Sequence, residues 1–183
     1  FFLNDNIFKI EKILKSFLKN KFIILDFGEI FPVELSIKRN SHKNIINLEN
    51  LNYLLYEAKD CCKKTVDDKK IIHMLINNYQ IDNKNYSFFP EGINGNSFSL
   101  DIKFICISER LVKDLELILK KYQISLGQVV SARYIEKFLN DNEKNMFLMA
   151  RKLINGHNLN EVVLVNKTHK MEGLFEKFFK FFN

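Results

Sequence analysis

Phe98-Ser99-Leu100-Asp101-Ile102-Lys103-Phe104-Ile105-Cys106-Ile107 is the stretch on which the fold turns. Phe98, Leu100, Ile102, Phe104 and Cys106 alternate with other residues at a period of two, the spacing of a strand with one face on a core. Just before it, Pro90-Glu91-Gly92-Ile93-Asn94-Gly95-Asn96 is the clearest turn segment in the chain. Just after it, Ser108 stands where an N-cap would open a helix over 109–122, with Leu111, Leu115, Ile118 and Leu119 inward.

Working outward, 71–81 reads as a strand of mixed pattern, and 86–89 as a short strand before Pro90. Asn47 caps a helix that carries Leu48, Leu51, Leu54, Leu55 and Ala58 on one face and ends near Cys62. Val33 to Arg39 alternates as a strand opened by Pro32, and 22–27 is a short apolar strand that Gly28 breaks. A final strand spans 128–131. Over 31–131 the order is strand, helix, strand, strand, helix, strand: an α+β sheet with helices on one face. Residues 7–18 form a leading helix with Ile7, Phe8, Ile10, Ile13, Leu14, Phe17 and Leu18 at helical spacing. Beyond the sheet, 133–155 reads as helix, with Tyr134, Phe138, Met146, Met149 and Leu153 for burial, followed by a short strand at 161–165.

The chain of 183 residues is long enough for one substantial core, and its formal net charge of +6 favours anionic partners without choosing among them. Three cysteines, Cys61, Cys62 and Cys106, make a poor disulfide framework and fit a reducing compartment. The four histidines have no metal-ligand spacing, so no metal is expected. No run reaches the roughly 18 apolar residues of a membrane span, and no cleavable secretory signal stands out. The chain opens on Phe1-Phe2, which reads as a fragment or processing boundary.

Catalytic sets are absent from the reading. Asp26-Phe27-Gly28 has the form of a D-x-G phosphate turn, but Glu29 follows it where a hydroxyl residue and a lysine belong, and there is no Walker A or G-x-G-x-x-G. Asp67-Asp68 lies in a lysine-rich turn, and Ser125 and Ser131 have no base near them in sequence. No enzyme activity and no cofactor are expected. The tail is different. In Glu172–Asn183, Leu174, Phe175, Phe178, Phe179, Phe181 and Phe182 fall within a helical arc of roughly 160°, with Lys170, Lys177 and Lys180 beside it and Gly173 as a joint. Such a stripe is covered by its own core, a partner groove or lipid headgroups; the flanking lysines favour an anionic membrane surface.

Residues 78–131 resemble the 1C subdomain of the bacterial cell-division protein FtsA, through Ile81-Asp82, Pro90, Gly92, Gly95, Phe98, Leu100 and Ala132. Residues 46–58, the helix 7–18 and the acidic segment 141–143 are similar to the elements around it, and the tail is similar to that family's C-terminal membrane-targeting helix. The resemblance implies a shortened FtsA-like chain: a leading helix (1–21), a 1C-like domain (22–132), a connecting helix and strand (133–171) and a membrane-targeting helix (172–183). It implies a peripheral protein on the cytoplasmic face of the inner membrane at the division site, meeting divisome proteins or its own copies through the 1C-like domain. The family's ATP loops and FtsZ-binding lobe have no counterpart here, so neither ATP nor direct FtsZ binding is implied. The alternatives are a small basic nucleic-acid-binding module, whose aromatic–arginine interleaving the sequence lacks, and a related actin-like pilus or assembly adaptor.

Overall fold

The computed structural model describes residues 2–26, 28 and 30–164, with only the backbone over 41–44. Its elements are α1 (Phe2–Leu14), β1 (Asn20–Leu25), β2 (Phe31–Ile45), α2 (Leu48–Thr65), β3 (Lys69–Ile81), β4 (Lys84–Tyr86), β5 (Asn94–Ser108), α3 (Glu109–Lys120), β6 (Ser125–Ser131), α4 (Ala132–Glu136) and α5 (Met146–Ile154). The fold is α+β, as the sequence implies. Four strands form an antiparallel sheet in the order β2-β5-β3-β4.

β5 lies at the centre, antiparallel to β2 on one side and β3 on the other. Its alternation is realised in full: Phe98, Leu100, Ile102, Phe104 and Cys106 are all buried and face α2. Cross-strand rows continue this face, with Val33 and Met74 beside Phe104, and Leu35 and Ile76 beside Ile102. α2 closes over these rows with Leu51, Leu54, Leu55, Ala58 and Cys62. Burying a Leu or Phe side chain in this way stabilises the fold by about 1.5–3 kcal/mol. The expected cap is present as a reciprocal capping box: Asn50 N–H donates to the Asn47 side chain, and Asn47 N–H to the Asn50 side chain, each at 3.0 Å. Leu48, expected inward, is exposed at the very start of the helix.

Pro32 is tolerated because, among the described residues, β2 is an edge strand that pairs with β5 alone. The mixed pattern of β3 also has a cause. The β3–β5 register slips between Ile71 and His73, and again between Ile76 and Asn78. Each slip inserts one residue and breaks the period of two. The first slip sets His73 opposite Ile105, on the face away from α2.

That second face corrects the expectation of one sheet with helices on one side. β6 does not join the four strands; it pairs in parallel with β1 as a two-stranded sheet. Ile105 packs with Val130, Tyr134, Ile135 and Leu153, and Ile107 with Val112 and Val129. Thus α3, α4, α5 and β6 lie across from α2. The outer face of β5 is polar at Ser99, Asp101 and Lys103 and apolar at Ile105 and Ile107, so one half of the strand meets solvent and the other a second core.

Smaller departures are local. Ser108 makes no side-chain cap; the first amide of α3, Glu109 N–H, donates instead to Asp68 O at 3.0 Å. α3 buries Leu119 and half-buries Leu111 and Leu115, as expected, but Ile118 is exposed and Val112 is buried in addition. The expected helix 133–155 is two helices, α4 capped by Ser131 and α5 capped by Asn145. α1 spans 2–14 rather than 7–18 and buries Ile7 against Leu119 and Ile124, while Phe8, Ile13 and Phe17 stand outward.

The Pro90–Asn96 turn is stitched to two neighbours. Gly92 N–H donates to Ile46 O and Ile46 N–H to Ile93 O, both at 2.9 Å. The Asp82 carboxylate accepts from Asn96 N–H at 2.9 Å and Ser97 N–H at 2.9 Å. The Asn96 amide, foremost among these donors, holds the Asp82 carboxyl below its ordinary value. Asp82 and Asn83 both take positive φ, 45° and 67°, to turn β3 into β4. Gly95 is required by close approach, since a Cβ there would lie 2.3 Å from Ile81 Cγ2, itself buried. Gly95→Ala is therefore expected to lower stability by about 1–3 kcal/mol in urea denaturation; an unchanged midpoint would contradict the close approach.

Candidate functional site

Two places gather polar chemistry. The first is buried, at the junction of β3, β6, α4 and the segment 158–164. His73 Nδ1 and Glu161 Oε1 are 2.6 Å apart, and the Tyr134 hydroxyl donates to Glu161 Oε2 at 2.6 Å. Asn158 Nδ2 donates to the Tyr134 oxygen at 2.9 Å, and Ser131 N–H donates to His73 Nε2 at 3.1 Å. Because Nε2 accepts, the neutral ring carries its proton on Nδ1 and donates it to Glu161. The His73 and Tyr134 rings also touch, with centroids 4.4 Å apart.

Serine, histidine and glutamate thus meet here, a set that sequence spacing does not reveal. The geometry is not that of a nucleophile. Nε2 is occupied by the amide of Ser131, not its hydroxyl, and Ser131 Oγ accepts from Tyr134 N–H at 3.3 Å. Ser131 is 1% exposed and His73 3%, and of the three only His73 and Glu161 border a cavity, of about 190 Å³. The network acts as a latch. Ile76 N–H donates to Asn160 O at 2.9 Å and Val162 N–H to Met74 O at 2.8 Å, so 160–162 runs as a strap beside the outer edge of β3. The expected strand at 161–165 is present as this single bridged contact at Glu161; Val165 lies outside the described residues.

The second place is open. Between α2, the start of β3 and α3 lies a groove of about 580 Å³ lined by Lys59, Lys63, Asp67, Lys69, Lys70 and Lys113, among others. Ile71 and the buried Val112 form its apolar floor. Lys70 pairs with Glu116 at 3.5 Å and Lys113 with Glu109 at 2.9 Å. Lys69 pairs with Asp68 and also stacks over Phe31, 4.5 Å from the ring centroid. Among the described residues no acid stands within ion-pair distance of Lys59 or Lys63. A smaller cavity of about 190 Å³ shares Lys59 and Ile71 with this groove and runs to Val162, Val163 and Leu164 of the strap.

The sequence-predicted site residues fare differently. Lys170, Leu174, Phe175, Lys177, Phe178, Phe179, Lys180, Phe181 and Phe182 lie outside the described residues. Asp67 and Asp68 are exposed in the turn before β3, and Asp26 and Gly28 are exposed, with no Cβ-distance neighbour at Gly28. Ser125 is exposed and remote from the latch; Ser131 is part of it. All three cysteines are free thiols. Cys62 and Cys106 lie 4.0 Å apart, sulfur to sulfur, in the core beneath α2. Burial raises both thiols, Cys106 to about 12, which keeps them protonated. Among the described residues no cluster of three metal-ligating side chains occurs, and no helix is long and apolar enough to cross a membrane.

No protein-family model matches the chain, and no curated protein matches it.

The latch predicts an alkaline weakness. Burial, and then the hydrogen bond to Glu161, raise the Tyr134 phenol above its ordinary value of 10.0. A raised folded-state value means the stabilisation is complete below about pH 10 and drains away as pH rises beyond it. Urea denaturation should therefore show stability falling between about pH 10 and 11. Tyr134→Phe should lessen that fall, leaving the part owed to the buried thiols and Tyr79, and cost about 1–3 kcal/mol near pH 8, because Glu161 loses a donor. An equal alkaline slope in both proteins would refute the assignment.

Proposed function

We propose that this chain is a non-enzymatic, FtsA-like adaptor of bacterial cell division. Its α+β body binds protein, either divisome components or its own copies. Its C-terminal helix rests on the anionic cytoplasmic face of the inner membrane at the division site.

One observation carries the reading. The residues between 81 and 98 that carry the FtsA resemblance meet in one unit. Ile81 and Phe98 are register partners, Asp82 clasps the amides of Asn96 and Ser97, and Gly95 packs on Ile81. The turn at Gly92 and Ile93 is tied back to Ile46, where the upstream matching stretch begins.

The absence of enzymatic chemistry from the reading rests on the same ground. In the Ser131–His73–Glu161 set, His73 Nε2 is taken by the Ser131 amide and Ser131 Oγ by the Tyr134 amide, which leaves the serine without a base. A nucleic-acid module calls for an uninterrupted cationic face. In the open groove Asp67, Glu109 and Glu116 stand among the lysines.

Membrane attachment is tested by pelleting with phosphatidylglycerol vesicles. The chain should co-sediment, and Phe178→Glu with Phe179→Glu should abolish it, since each charge placed in the apolar arc opposes insertion. Undiminished pelleting of the double variant would overturn the anchor. In a separate measurement, ATP with magnesium should leave the melting temperature unchanged; a clear rise would overturn the nucleotide-free reading.

A further inference from the structure

We propose that the groove between α2 and α3 is the body's docking site for an acidic segment of a partner protein, one that alternates carboxylates with apolar side chains. This rests on the reading that the body binds protein, and it names the chemistry of what is bound.

Lys59 and Lys63 are one turn apart on α2, so both project from the same side of the helix toward the groove. They are the cations there that lack an acid at ion-pair distance among the described residues, whereas Lys70 and Lys113 are each held by a glutamate of α3. The charge pattern is therefore lopsided: satisfied pairs on the α3 wall, unsatisfied cations on the α2 wall. Between them Ile71 and Val112 offer an apolar floor. A segment with carboxylates spaced to meet Lys59 and Lys63 and an apolar residue between them satisfies both features.

Other occupants fit less well. The chain's own residues beyond the strap carry Lys167, Lys170, Lys177 and Lys180 against Glu172 and Glu176, the wrong sign for this wall. A second copy brings a net charge of +6 to a cationic surface. A phosphate-bearing ligand would find no arginine in the lining to grip it with a bidentate fork.

The test is fluorescence anisotropy with the full chain and a labelled peptide of alternating glutamate and leucine, followed across a salt series. Binding should weaken with salt. Lys59→Glu with Lys63→Glu should lower affinity about tenfold or more, and Lys59→Arg with Lys63→Arg should keep it within about threefold. Lys59→Gln with Lys63→Gln, with the melting temperature as control, gives an intermediate loss if charge is the cause. No binding by the native chain, or equal binding by the charge-reversed chain, would overturn the proposal. So would a labelled oligonucleotide or phosphatidylglycerol vesicles that outcompete the peptide at the same lysines. The Phe178→Glu, Phe179→Glu chain should still bind the peptide, so failure of the membrane anchor and failure of the groove read out separately.

Discussion

β5 is paired along nearly its whole length on both edges, and that constraint orders the body. A central strand must have every amide and carbonyl matched by neighbours. Here the match runs nearly the whole length on each side, from Asn94 to Cys106 with β2 and from Phe98 to Ser108 with β3. Once both edges are taken, only the two faces remain to choose. The face of Phe98, Leu100, Ile102, Phe104 and Cys106 excludes water under α2. The other face divides, polar toward Ser99 and Asp101 and apolar toward Ile105 and Ile107. The polar half carries hydrogen bonds across the sheet, with Ser36 and Asn78 both donating to Asp101. The apolar half is where β6 and the later helices settle.

Much of this was legible. The alternation at 98–106 and the Asn47 cap report local physics, and local physics decides them. The second layer was harder to see. Phe104-Ile105-Cys106-Ile107 is an unbroken apolar run, the mark of a strand segment buried on both faces, but alternation alone picks out one side of it. The slips in β3 hide a regular strand behind an irregular pattern, because each inserts a residue that the period does not count. The latch was invisible for another reason: 88 residues separate His73 from Glu161, and nothing near either one signals the other. Histidine and tyrosine next to a carboxylate are informative only after the chain has folded. The pairing of β1 with β6 is equally non-local, since a parallel pair has no short turn to announce it.

The two polar places show how burial decides what a residue set does. His73, Ser131 and Glu161 carry the side chains of a hydrolase yet are fully engaged in holding parts of the chain together. A half-satisfied set at that depth would cost stability, and no buried side-chain polar atom is left unmatched among the described residues. The lysine groove is the reverse case. Its groups are ordinary surface residues, each pair worth little by itself, and its meaning lies in which of them have been left without a counter-ion.

The strap gives the molecule a mechanical character. Residues 160–162 are joined to β3 by two backbone bonds that lie across the strand direction, at Asn160–Ile76 and Val162–Met74, with Glu161 clasped between them from below. A pull on the chain beyond Leu164 that runs along the strand stretches both bonds at once, in shear. A pull directed away from the sheet peels them one after the other, which takes far less force. The same tether is thus stiff in one direction and weak in another, so the angle at which tension arrives would determine whether the body keeps its load or lets go.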